Sequence, residues 1–398
     1  MLSEHPILVV FLAAVAAPLI AQTRAGAHVP VVVFEVVLGM LLGPHVLGLV
    51  GNDGFVRFMH DVGMVAVMFM AGMEMDFGLI RGRPLVLAST GWVASVLIAA
   101  LALVLIHPLF GIATPPMLVI ALTTTGLGTL LPILRDGGLL GSRFGNLLLA
   151  AGTLGEVGPI VAASLVVSTR YSTWQEFAFL VLFLALIALA AAVGAGLRPP
   201  RVIALLARTM HASTQLPVRL ALLLLAVLVF VSERLGFESV FGAFAAGMIV
   251  GVAVRGPDGE DFRKKIDAVC FGWFAPFFFV GTGIAFDIGA LGRDMTTLLL
   301  IPVFLALLLL TRGSTAWLYR HDLPRRELPP LALSAAVSSL GIVVVIANVG
   351  LRSKQLGADT AQALIGAALL SLLVYPTAAR VLLARQNGAP DGAPSLKA

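Results

Sequence analysis

One acidic side chain interrupts a long apolar stretch of this 398-residue chain: Glu156, in GNLLLAAGTLGEVGPIVAASLVVS. It falls near the centre of a candidate span over 143–168, where a bare charge costs ~3 kcal/mol or more and usually faces a cavity. A carboxyl at that depth is stable with a proton or with a cation bound, so it can hold H⁺ and a hard monovalent cation in turn. The bland alternative is a protonated structural glutamate bonded to a neighbouring helix. Arg312, in LALLLLTRGSTAWLYR, is the one Lys or Arg more than four residues inside the end of a candidate span. It could neutralise helix dipoles or pair with Glu156 when no cation is bound; snorkelling to the interface is the competing reading. Thr123, Thr124, Thr125, Gly126 and Gly128 lie in one apolar run, and Ser338, Ser339 and Gly341 in another. Hydroxyls bond freed backbone groups, and glycine costs ~1 kcal/mol against alanine inside a helix, so both segments mark places where a helix unwinds. The Thr hydroxyls and unwound carbonyls could complete an oxygen shell around a monovalent cation at Glu156.

Catalysis and cofactor chemistry find no such support. The seven histidines show no ligand spacing and fall near predicted span ends, and Cys270 reads as a small buried hydrophobe. Neither a nucleotide-binding glycine loop nor a Ser/His/Asp grouping is present, so no catalytic residue and no cofactor is expected. Glu35 and Glu74 read as structural or entrance residues.

The elements that must position these residues follow from composition. The chain is 59% hydrophobic and 12% charged, against ~25% charged for soluble domains, so lipid is its solvent. Breaks at Pro, Gly and charge clusters divide it into thirteen candidate transmembrane helices, and the fold class is all-α polytopic. The spans are 6–23, 29–47, 61–80, 84–107, 115–135, 143–168, 176–197, 216–234, 237–254, 266–286, 295–319, 328–350 and 359–383. With the N-terminus outside, nineteen of the 26 Lys and Arg fall in inward segments, six outside and Arg312 within a span. That bias predicts an outer N-terminus and a cytoplasmic C-terminus; the expected location is a bacterial inner membrane. The bias also explains the net charge of +5 without nucleic acid. The start lacks the basic residues of a cleaved leader and reads as the first span.

The fifth and twelfth spans run in opposite directions. If 6–168 repeats, inverted, as 216–383, with 176–197 as a linker helix, the two interrupted helices occupy matching positions and cross near the midplane. The transmembrane domain then covers 1–385, and 386–398 is a short polar cytoplasmic tail.

Several segments resemble the monovalent cation:proton antiporter-2 family, the Kef-like branch of the sodium–proton exchanger superfamily. VPVVVFEVVLGMLLGPHVLGLV (29–50) is similar to its second helix, including Gly39, Gly43 and Pro44, and MVAVMFMAGMEMDF (64–77) to its third. FGAFAAGMIVG (241–251) and FAPFFFVGTGIAFDI (274–288) resemble its ninth and tenth. The resemblance implies a thirteen-helix sodium/proton-antiporter fold, a dimerisation domain, a mobile core in which broken helices cross, and a homodimer. It also implies that Glu156 is the ion-binding carboxylate and Arg312 the basic partner of the eleventh helix. The chain departs from the family at Gly155, where relatives carry Asn, Asp or Gln before the carboxylate. No nucleotide-sensing domain follows the last span, so that form of gating is not expected.

The resulting expectation is an antiporter exchanging H⁺ for Na⁺ or K⁺ by alternating access, with both ions competing at Glu156. One carboxylate favours one-for-one exchange. The rivals are a sodium-coupled symporter for an organic anion, which needs a polar pocket beyond Arg312, and a passive cation channel, which needs a continuous wetted path.

Overall fold

The structure, a computed structural model, describes residues 6–23, 29–51, 54–74, 82–110, 114–127, 130, 134, 139, 141–167, 214–254, 259–287 and 295–386. Among these residues every regular element is a helix. In chain order they are α1 (Pro6–Ala21), α2 (Val31–Leu42), α3 (Gly54–Glu74), α4 (Arg83–Phe110), α5 (Pro116–Ala121), α6 (Arg143–Val167) and α7 (Leu216–Arg234). There follow α8 (Ser239–Ala253), α9 (Glu260–Val269), α10 (Ala275–Ala285), α11 (Met295–Leu308), α12 (Leu328–Ala335), α13 (Leu340–Arg352) and α14 (Ala358–Gln386). Seven stretches among the described residues are long and apolar enough to cross a bilayer, and the bent pair Arg325–Ala335 and Leu340–Arg352 makes an eighth. The expected linker helix at 176–197, the tail beyond 386 and Gly128 lie outside the described residues.

Two elements begin earlier than the polar residues in them suggested. The third starts at Gly54 rather than at 61, carrying Arg57, His60 and Asp61 within α3. His60 therefore does not end a span: its Nε2 lies 3.3 Å from Thr282 Oγ1 of α10. The tenth starts at Glu260 rather than at 266, because the charged turn EDFRKKIDAV is helical and leads through a wide π-turn, Cys270–Phe274, into α10. The eleventh helix likewise widens into a π-turn at Leu309–Gly313 and then tightens to a 3₁₀ segment, Ser314–Tyr319. Such changes of pitch re-aim side chains and often sit at functional sites, and this one contains Arg312.

The chain forms two compact units. The first comprises Met1–Ile20, Phe34–Met75 and Ile160–Ile288. Its core is aromatic, with Phe69, Phe241, Phe244, Phe277 and Phe278 fully buried. α3 and α8 approach until their backbones touch: a Cβ on Gly72 would strike the carbonyl of Phe244, and one on Gly247 that of Phe69. Small residues permit such contacts where no hydrophobic effect drives helices together.

The second unit comprises Ala21–Val33, Asp76–Pro159 and Gly289–Ala398. In α4, Ala88, Gly91, Ser95 and Ala99 form a buried stripe of small residues at helical spacing. Val93, Leu97, Leu101 and Leu105 on the other side are more than half exposed. A helix apolar all round, with one face exposed, needs lipid on that face. α5, α6 as far as Pro159, α11, α12, α13 and α14 complete this unit, and every residue of the candidate site belongs to it.

Candidate ion-binding site

The site begins with two interruptions in otherwise apolar helices. α5 stops at Ala121, and residues 122–126 leave the helical path before it resumes at Leu127. α12 stops at Ala335, residues 336–339 run free, and α13 starts at Leu340, bent by 46° from its predecessor. Ser339, in extended conformation, immediately precedes α13 without a side-chain bond to it, and Gly341 is the second residue of that helix. In lipid every freed backbone group needs a partner within the protein. Several are supplied here.

At the end of α5, Thr123 Oγ1 donates to the carbonyl of Ile120 at 2.7 Å, and Thr124 Oγ1 to that of Ala121 at 3.0 Å. The carbonyl of Leu122 accepts the hydroxyl of Thr311, one turn-position before Arg312, at 2.8 Å. At the second break the N–H of Ser338 donates to Ser371 Oγ of α14 at 3.1 Å.

The two breaks also satisfy each other. The N–H of Gly126 donates to the carbonyl of Val337 at 2.8 Å, and Thr125 Oγ1 donates to that of Ala335 at 2.7 Å. The hydroxyls of Thr124 and Ser338 meet at 3.0 Å. A Cβ on Gly126 would lie 2.8 Å from the carbonyl oxygen of Ser338, so glycine lets one unwound backbone rest on the other. The two breaks meet, and Thr124, Thr125, Gly126 and Ser338, four of the residues whose types suggested unwinding, make the contact.

α6 runs beside the crossing. Pro159 inside this helix has no N–H, so the carbonyl four residues earlier, that of Gly155, loses its helical donor. The N–H of Thr125 takes its place at 3.0 Å. This bond sets Glu156 next to the first break, and its Oε1 accepts the N–H of Leu127 at 2.8 Å. Glu156 is 5% exposed. The acid therefore sits at the first backbone donor beyond a break, where partial positive charge collects.

Arg312 sits at the opposite polarity, near the carbonyl ends of α5 and α12. It is 1% exposed and is the largest fully buried side chain described. Its Nε donates to Thr125 Oγ1 at 2.7 Å, Nη2 to the carbonyl of Ala151 at 2.8 Å, and Nη1 to Ser95 Oγ at 3.3 Å. The snorkelling alternative is thereby overturned, because the π-turn points the side chain inward and three acceptors wait there. Thr125 is the hub: it accepts from Arg312 while donating to Ala335. A hydroxyl oxygen already facing a guanidinium is poorly placed to bind a second cation.

The missing side chain at Gly155 acquires a physical reason. A Cβ there would lie 2.5 Å from Thr125 Cβ, 2.7 Å from its Oγ1 and 2.8 Å from Arg312 Nη2. The volume that a side chain before the carboxylate would need is filled by Thr125 and the Arg312 guanidinium.

The structure thus brings together Glu156, Thr123, Thr124, Thr125, Gly126, Ser338, Ser339 and Arg312 in one unit. Glu35, 7% exposed in α2, and Glu74, exposed at the end of α3, belong to the other unit's elements. Sequence reasoning missed Ser95, Ser371 and the carbonyls of Ala151, Ala335 and Val337. The serines carried a readable signal, a polar residue on a small-residue face; the carbonyls carried none.

The transmembrane sodium/hydrogen exchanger family profile matches residues 8–385. Among curated relatives, the Na⁺/H⁺-K⁺ antiporter GerN of Bacillus cereus is 24% identical and covers 87% of this chain and 88% of its own. Cation/H⁺ antiporter 15 of Arabidopsis thaliana is 26% identical over 86% of this chain. The chain spans 43% of the plant protein's length and 64% of YjbQ from Bacillus subtilis, to which it is 24% identical. The solved structure of the sodium proton antiporter MjNhaP1 from Methanocaldococcus jannaschii aligns with a TM-score of 0.69 at 18% identity. That alignment covers 96% of this chain and 99% of the other.

Proposed function

The chain belongs to the sodium/hydrogen exchanger family, and from that premise we propose that it exchanges H⁺ for Na⁺ or K⁺ by alternating access, with both ions competing at Glu156. The family is one of transporters, not enzymes, and the apolar helices fit a multi-pass membrane protein. One observation carries the reading: a buried carboxylate on α6 accepts a backbone N–H from an unwound segment at a helix crossing. Such a group binds a proton or a cation in place of the solvent it lacks, and either ion neutralises it for passage.

Within this reading Glu156 is the exchanging ligand, and the oxygens of Thr123 and Thr124 are offered to the cation. Thr125 serves as a tether between Arg312 and the second break. Arg312 holds a fixed positive charge at the carbonyl ends of the crossing. A single titrating carboxylate then carries one proton one way and one monovalent cation the other, which is electroneutral. Relatives named for Na⁺/H⁺ and Na⁺/H⁺-K⁺ antiport support the ion class.

The arrangement of thirteen spans is part of the proposal. The eight long or bent apolar spans and three shorter apolar helices, Pro6–Ala21, Val31–Leu42 and Ser239–Ala253, account for eleven. The broken span at 115–135 and the linker at 176–197 complete the number, with inverted repeats, an outer N-terminus, a cytoplasmic C-terminus and a homodimer in a bacterial inner membrane.

Everted vesicles holding a pH gradient test the function. Adding Na⁺ or K⁺ collapses the gradient if the chain is an antiporter, and Glu156→Gln inserts but gives no response. A gradient indifferent to every monovalent cation would count against the function, and an active Glu156→Gln against the site.

A further inference from the structure

A second polar cluster in the same unit lies outside the exchange site. Asp322, in the loop after the 3₁₀ end of the eleventh helix, has a side chain only 2% exposed. Arg83, the first residue of α4, grips it with two bonds: Nε to Oδ1 at 2.7 Å and Nη2 to Oδ2 at 2.9 Å. Arg143, the first residue of α6, adds Nη2 to Oδ1 at 2.8 Å. Both arginine side chains are nonetheless about two-thirds exposed, at 64% and 67%. One buried carboxylate therefore neutralises half of a fixed pair of guanidiniums whose other edges face outward. The adjoining loop adds the exposed Arg320, Arg325 and Arg326 against Glu327.

The depth of this cluster is marked independently. Trp317, in the 3₁₀ segment, is 60% exposed, and the Arg320 guanidinium lies 5.1 Å from the centre of its ring. An exposed tryptophan topped by an arginine belongs at the boundary between hydrocarbon and headgroups. Arg83 and Arg143 open two apolar helices that leave the same level. Guanidinium forks match phosphate oxygens in pairs, and side chains already held in place lose little freedom on binding. A free anion must be captured from solution, whereas lipid phosphates already stand at this depth.

We propose that Arg83 and Arg143, locked onto Asp322, form a binding site for the phosphate of an anionic phospholipid headgroup. Lipid bound there braces the starts of α4 and α6 and the loop after Arg312, the elements that bear Ser95, Glu156 and the guanidinium of the exchange site. The site involves no exchanging residue, so it stands whichever ion the chain carries.

Thermal unfolding of the purified full chain in neutral detergent tests it, with phosphatidylglycerol, phosphatidylcholine or inorganic phosphate titrated at matched phosphate. Phosphatidylglycerol raises the melting midpoint, and neither control does. The triple variant Arg83→Gln/Arg143→Gln/Asp322→Asn, which leaves no buried charge unpaired, loses that response, while Arg325→Gln/Arg326→Gln keeps it. Should the triple variant not fold, Arg143→Gln alone weakens half-saturation by about fivefold. No shift with phosphatidylglycerol, an equal shift in the triple variant, or unaltered affinity in Arg143→Gln overturns the proposal. An equal shift with inorganic phosphate overturns the lipid as the ligand.

Discussion

The backbone N–H of Leu127 donates to Oε1 of Glu156 at 2.8 Å, so the acid of α6 is held by the first donor beyond the break that follows α5. The bond requires α6 and the unwound segment to lie within one side-chain length of each other. Two features make that possible: the carbonyl of Gly155 freed by Pro159, and the bare Cα of Gly155 itself. Each can be removed separately.

Gly155→Ala puts a methyl 2.5 Å from Thr125 Cβ and 2.8 Å from Arg312 Nη2, so the break must move away from α6. Overpacking of this kind costs about 1–3 kcal/mol. The expected result is a lower melting midpoint and at least about a tenfold loss of exchange, because Leu127 is drawn off Glu156. Gly272→Ala, where an added Cβ meets nothing within 4 Å, leaves both unchanged.

Pro159→Ala gives α6 back an N–H aimed at the carbonyl of Gly155. That donor competes with Thr125, whose amide loses its partner at 3.0 Å. Hydrogen–deuterium exchange over residues 122–127 should accelerate while α6 itself stays protected. Equal protection in the variant and the parent would show that the proline is not what frees that carbonyl.

Arg312 tests the crossing. Charge-assisted hydrogen bonds contribute about 1.5–3 kcal/mol each, and their buried acceptors are costly to abandon. Arg312→Ala should therefore destabilise the protein by on the order of 3 kcal/mol, measured as a fall in melting midpoint. Arg312→Lys keeps the charge, yet one ammonium cannot reach Thr125, Ser95 and Ala151 together as the planar fork does. It should recover only part of the loss.

Asp322 links stability to acid. Hydrogen bonds from Arg83, then Arg143, hold its carboxyl below the ordinary value of 3.8 despite its burial. A carboxyl depressed in the folded state contributes stability that is complete above 3.8 and is lost as pH falls through the lower folded value. Melting midpoints of the parent and Asp322→Asn should therefore differ most above 3.8 and draw together as pH falls below 3.8 through the lower folded value. A gap that stays constant across this range would contradict the assignment.

The breaks were legible because their chemistry is local: three threonines before a glycine, and two serines before Leu340-Gly341, read as unwinding wherever they fall. The acid was legible because nothing else charged lies within its run. The orientation of Arg312 was not. A residue near the end of an apolar helix reads equally as snorkelling outward or turning inward, and the acceptors that hold it inward, on Ser95, Thr125 and Ala151, are far away in the chain. The Arg83–Asp322–Arg143 cluster was hidden for the same reason, since its members look like ordinary loop charges until the three segments meet. Gly155 read as a missing ligand, and only the positions of Thr125 and Arg312 explain its emptiness.

The central claim is that proton and cation exclude each other at Glu156, and initial exchange rates against cation concentration at several pH values test it most directly. If one proton competes with the cation, then below the group's titration range the half-saturating cation concentration rises about tenfold per pH unit lowered, at constant maximal rate. A maximal rate that falls with pH while half-saturation stays fixed would mean that the proton acts elsewhere.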